Sequence, residues 1–169
     1  MGANITPIFP LSPNIGFGTV ITADNHYTTP ITNSVIIFTA GKYGSKIDQI
    51  IARPLGTNIQ SVLRLFINDG AGVAADNFAL IHEVMLPAST AANDNVAGDG
   101  EDIILYKDGD NKTLSPIPYL PEGYKIYAAL GKSVAAGWKV IVHGSDYGTE
   151  DEDVEEAATA GVTFTVTEW

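Results

Sequence analysis

The sequence predicts an all-β fold, an antiparallel sandwich or barrel, on three observations. Apolar residues recur with a period of 2 almost everywhere and with a period of 3.6 almost nowhere. Seven or eight short runs rich in β-branched and aromatic residues follow one another at even spacing, separated by Gly, Pro, Asn and Asp clusters. At 169 residues the chain can bury one core without covalent staples, and it has no cysteine to supply any.

Residues 1–30 read as an extended N-terminal arm. "ITPIFPLSPNIGF" is apolar yet broken by Pro7, Pro10 and Pro13, so it cannot build a core of its own. Left in water, Ile5, Ile8, Phe9 and Leu11 would form a sticky patch. They are therefore expected to lie on a surface, either as a strap across the domain's own sandwich or as an anchor on another subunit.

The sandwich is expected over residues 31–147. "SVIIFTA" (34–40) and "SKIDQIIAR" (45–53) are β-branched runs joined by "GKYG", whose glycines read as a hairpin turn. "QSVLRLFIN" (60–68) places Leu63, Leu65 and Ile67 on one face and Val62, Arg64 and Phe66 on the other. Asp69-Gly70 is a strong turn signal. "FALIHEVML" (78–86) then alternates Phe78, Leu80, His82 and Val84 against Ala79, Ile81, Glu83 and Met85. A polar, aperiodic loop fills 87–102, and "DIILYK" (102–107) is the next strand. The prolines of "TLSPIPYLPEG" exclude a central strand there. "YKIYAAL" (124–130) and "WKVIVHG" (138–144) close the body. Tyr124 and Trp138 stand at strand starts in phase with apolar neighbours, which assigns them to the core.

Residues 148–169 read as an acidic spacer and a terminal strand. Glu150, Asp151, Glu152, Asp153, Glu155 and Glu156 put six carboxylates within seven positions. Thr149 and Glu152 match a capping box and Gly161 a helix stop, while Asp151–Glu155 and Glu152–Glu156 repel at i,i+4; a short helix and a flexible spacer both stay open. Extended, the 13 residues of 149–161 span roughly 40 Å. In "GVTFTVTEW", Val162, Phe164 and Val166 share one face and Thr163, Thr165 and Thr167 the other. Such a strand must pair with a sheet edge and bury Phe164, within its own domain or on a partner chain. Val162, Phe164, Val166 and Trp169 join the N-terminal apolar residues as candidate partner-binding positions.

Charge narrows the function. With 20 acidic and 9 basic residues the net charge is −11, and about −5 remains without the six-carboxylate cluster. Nucleic acid and anionic membranes are disfavoured, because both need a basic face. The N-terminus has no basic n-region, its prolines break any apolar helical h-region, and no run approaches the ~18 apolar residues of a membrane span. No cleaved export signal is expected.

Catalytic and metal signatures are sparse. His26, His82 and His143 fall in different segments without metal-site spacing, and the latter two sit inside strands. No Gly-x-Ser-x-Gly elbow occurs, and "GKYGSK" lacks the order of a phosphate loop. "DGDN" (108–111) resembles a fragment of a calcium loop, but its twelfth position is Tyr119 rather than a glutamate. Asp94, Asp99, Glu101 and Asp102 in the long loop are of the type that collects a hard cation, against which stands the commonness of acidic loops on protein surfaces. The sequons at Asn4 and Asn111 carry no weight without a secretory signal. Tyr106, Tyr119, Tyr124, Tyr127, Trp138 and Tyr147 are the residues available for a sugar platform, against which stands their role in core packing. No catalytic residue, metal or cofactor is expected.

The succession "VLRLFINDG", "LIHEVMLPAS" and "LPEGYKIYAALGKSVAAGWKVIVHGSDY", spanning about residues 34–147, resembles a type of tailed-bacteriophage structural protein, a capsid decoration or head-associated protein. The resemblance implies a jelly-roll-like antiparallel β-sandwich, commonly a homotrimer on a virion, and carries no catalytic residues. The expected role is therefore that of a non-enzymatic accessory protein that binds and stabilises the phage head, made in the host cytoplasm and located on the capsid surface. Its expected partners are further copies of itself and the major capsid or another virion protein. The competing expectations are a receptor- or glycan-binding head-fibre or tail accessory module, with Tyr and Trp exposed on one sheet face, and a sandwich-based lyase or hydrolase with convergent carboxylates or histidines.

Overall fold

Alternating apolar residues can be buried only if strands stack face to face, and the chain does this with two four-stranded antiparallel sheets. The computed structural model describes residues 10–24, 32–90, 103–107 and 119–148. Its strands are β1 (Pro10–Val20), β2 (Val35–Thr39), β3 (Ser45–Pro54), β4 (Ser61–Asn68), β5 (Phe78–Leu86), β6 (Ile103–Lys107), β7 (Lys125–Leu130) and β8 (Trp138–Tyr147), with a 3-10 turn at Ala75–Asn77. The front sheet has the order β1-β8-β3-β6 and the back sheet β2-β7-β4-β5.

The pairings are nested. β1 pairs with β8, β2 with β7, β3 with β6 and β4 with β5, while β3–β8 and β4–β7 contacts complete the sheets. Among consecutive strands of the described residues, only β4 and β5 pair with each other. "GKYG" is therefore not the hairpin turn expected of it. It carries the chain from β2 in the back sheet to β3 in the front sheet, so that Ile37 and Phe38 meet Ile47 and Ile50 across the core. Gly44, at φ +83°, supplies the left-handed turn within it, and its N–H donates to the Gly41 carbonyl at 2.9 Å.

A second difference concerns the arm. Pro10–Val20, assigned by its prolines to a region with no core of its own, is an edge strand of the front sheet. An edge strand tolerates Pro10 and Pro13 because half of its backbone groups face away from the ladder. A third concerns β5, where a register shift between Leu65 and Phe66 breaks the strict alternation. Ile81 and Val84 both pack on the main core as a result, and Phe78 packs on the opposite side of the sheet.

The main core lies between the sheets, with Trp138, Val140 and Val142 of β8, Ile47, Ile50 and Ala52 of β3, Leu63 and Leu65 of β4, and Ile126, Ala128 and Leu130 of β7. Trp138 is fully buried and Tyr124 packs against this cluster, as expected. On the outer side of the back sheet, Phe66, Tyr127 and Ala129 form a second buried cluster, with Phe78 edge-on to Tyr127 at 5.0 Å between centroids. Buried Arg64 on that side bonds Glu83 across the strand pair at 3.0 Å.

Buried polar groups pin the loops. The Asn58 side-chain amide donates to the carbonyls of Gly56 and Gly137 and to Ser89 Oγ, and its oxygen accepts the N–H groups of Ala136 and Gly137. At the other end, Asp146 accepts hydrogen bonds from Asn14 Nδ2 at 2.8 Å and Ser45 Oγ at 2.5 Å, joining β1, β3 and β8.

Candidate functional site

The predicted partner-binding residues fall mostly outside the described part of the chain: Ile5, Ile8 and Phe9 before it, Val162, Phe164, Val166 and Trp169 after it. Leu11 belongs to β1, but its side chain lies outside the description. The possible spacer helix, the calcium-loop fragment, the acidic loop residues, both sequons and His26 also lie outside the described residues.

What the structure adds is the outer face of the front sheet. The sequence of β1 from Asn14, "NIGFGTV", alternates large residues with glycine. Gly16 and Gly18 turn inward, where no side chain fits against β2, and this sends Ile15 and Phe17 outward. Ile15 is 57% exposed and Phe17 64%. In register with Phe17 stand Ile141 of β8 and Ile51 of β3, both half-buried, so that an apolar row runs across these three strands. Thr19, Lys139 and Arg53 form the next row, and Lys139 Nζ lies 5.0 Å from the centre of the Phe17 ring. On the other flank Ile15 stands beside His143 and Gln49. Exposed Ile21 and Leu55 flank the turn at Gly137 and extend the apolar surface toward that end.

Sequence reasoning missed this surface because it ended the N-terminal apolar contact residues at Leu11. The alternation of Ile15 and Phe17 with two glycines was the available signal, masked by the prolines before it. The two sheets differ on their outer sides: the back sheet buries an aromatic cluster there, while the front sheet leaves its apolar row open.

The chemistry such a surface can perform is association. His82 and His143 lie in different sheets, and among the described residues no group of three or more His, Asp or Glu side chains is placed to hold a metal ion. His82, half-buried in β5, has its pKa lowered from 6.5 by desolvation. Burial raises the Tyr127 hydroxyl above its usual pKa of 10.0. Among the described residues no helix is long and apolar enough to cross a membrane.

Of the six aromatic residues available for a sugar platform, Trp138 and Tyr127 are buried and Tyr124 packs on the core. Tyr119, 49% exposed, and half-buried Tyr147 do come together, with ring centroids 5.6 Å apart at one end of the sandwich.

No protein-family model and no curated protein matches the chain. Among solved structures it is similar to chains of infectious bursal disease virus. For the Gx strain the identity is 12% and the TM-score 0.25, over 89% of this chain and 37% of the viral one. For the Gt strain they are 13% and 0.22, over 88% and 42%. The chain thus spans about two fifths of those viral chains. A likeness this distant carries no weight for function, which rests on the surface just described.

Proposed function

We propose that this chain is a non-enzymatic structural protein of a virion, an accessory capsid decoration or cement protein that binds and stabilises a phage head as a homo-oligomer, a trimer by the resemblance noted above. The observation that carries the reading is the open apolar row led by Ile15 and Phe17 on an edge strand, a surface suited to burial against another molecule. The nested strand order supports it. Among the described strands, pairing first with eighth, second with seventh and so inward is how a long hairpin rolls into a jelly roll, a double Greek key used in viral capsid and lectin domains. Fold alone does not give function, so the surface bears the argument.

In this reading Ile5, Ile8, Phe9 and Leu11 anchor on the neighbouring virion protein, and Val162, Phe164, Val166 and Trp169 bind another copy. An acidic exterior keeps the assembled particle from adhering to DNA. A specific contact buries about 800 Å² per partner, and repetition on a lattice multiplies modest single contacts. Deleting residues 1–9, which leaves β1 whole, is expected to abolish binding to capsids while the sandwich stays folded. Unchanged capsid occupancy refutes the anchoring role.

The pair Tyr119–Tyr147 favours a second reading, a glycan-binding head-fibre or tail module, since exposed rings stack on sugar faces. Under it Tyr119→Ala abolishes binding on a glycan array; an array without hits for the native chain removes it.

A further inference from the structure

We infer that the outer edge of β1 is the acceptor for the terminal strand, residues 162–167, of a second copy of this chain. This rests on the self-assembly part of the proposal above and names the surface and the segment that meet.

Among the described residues the sandwich has four edge strands, and β1 is the least protected. Protein edges are normally guarded by charges, prolines or bulges. From Asn14 to Val20, β1 carries neither charge nor proline, and its register shift lies earlier, between Pro10 and Ser12. β5 has Glu83 and a register shift at mid-strand, and β2 and β6 have five residues each. β1 also exposes two large apolar side chains at alternate positions, Ile15 and Phe17, where an incoming strand can extend their face.

The terminal strand offers the matching pattern. With Val162, Phe164 and Val166 on one face and Thr163, Thr165 and Thr167 on the other, its apolar side continues the row of Phe17, Ile141 and Ile51.

Spacer length favours a second copy. β8 ends at Tyr147, and β1 is its immediate neighbour. At the Pro10 end, which pairs with Tyr147, the outer side of β1 is two strand spacings away, roughly 10 Å, which about three residues bridge. The 13 residues of 149–161 span roughly 40 Å instead, and six of them are mutually repelling carboxylates.

The absence of native cysteine makes the test clean. Single substitutions Ile15→Cys, Phe17→Cys and Thr19→Cys are made in one set of full-length chains, and Val162→Cys, Phe164→Cys and Val166→Cys in another. These are mixed pairwise and oxidised gently. The expected result is a reducible cross-link between chains of the two sets, in at least one register and above the level of either set alone. Separately, Phe164→Asp is expected to weaken self-association at least about tenfold in sedimentation experiments. Chains carrying one cysteine from each set are made as a control, and a cross-link confined to single chains of that kind at high dilution overturns the inference. So do the lack of a cross-link in every mixture and self-association unchanged by Phe164→Asp. A chain that cross-links between copies yet binds no capsid defeats only the virion reading; one that binds capsids without cross-linking defeats only strand exchange.

Discussion

Gly16 of β1 faces the backbone carbonyl of Ile37 in β2 so closely that a Cβ at Gly16 would collide with the Ile37 oxygen. Two residues on, a Cβ at Gly18 would lie 2.6 Å from Val35 Cγ1. At Gly16 the two sheets therefore meet backbone to backbone, at Gly18 the β1 backbone meets the Val35 and Ile37 side chains, and the larger residues of β1 are forced outward.

Gly16→Ala is expected to destabilise the fold by about 1–3 kcal/mol, because the obstacle is backbone that cannot rotate aside. A urea midpoint for Gly16→Ala equal to that of the native chain contradicts this packing.

Asn58→Ala removes five hydrogen bonds of one buried side chain and strands the N–H groups of Ala136 and Gly137. A loss of roughly 3 kcal/mol is expected. Hydrogen exchange at Gly137 and Trp138 should accelerate before exchange in β4 does, and a uniform change across the molecule contradicts the local pin.

His82 sets a pH dependence. Desolvation lowers its folded pKa, so the unfolded chain binds the proton first on acidification. Its contribution is fully favourable above the unfolded value of 6.5 and is lost as pH falls from there through the lowered folded pKa. Neighbouring Glu83 is engaged by Arg64. Chemical denaturation between pH 7.5 and 5 should show stability falling in the native chain, with a flatter slope in His82→Gln; parallel slopes count against the assignment.

Phe17→Lys separates folding from association. Phe17 is mostly exposed, so thermal stability of the isolated chain should change by less than about 0.5 kcal/mol. Self-association should drop, measured by sedimentation at several concentrations. A chain that associates as before places the contact elsewhere.

The residues alone determined which side of most strands faces the core. Leu63, Leu65, Trp138 and Val140 are buried as their period implies, because burial of alternate residues is the same whatever the neighbouring strand is. The turn at Asp69-Gly70 was equally legible, since Gly70 sits at φ +85°. The candidate surface was legible only in part: apolar ends were evident, but the exposed pair Ile15 and Phe17 was hidden within a proline-rich stretch. Only the tertiary structure decided that 41–44 crosses between sheets, that Pro10–Val20 is an edge strand, and that β5 shifts register. The reason is physical: alternation encodes inside against outside, whereas partner choice depends on contacts far apart in the chain, such as Gly16 with Ile37, that no local pattern contains.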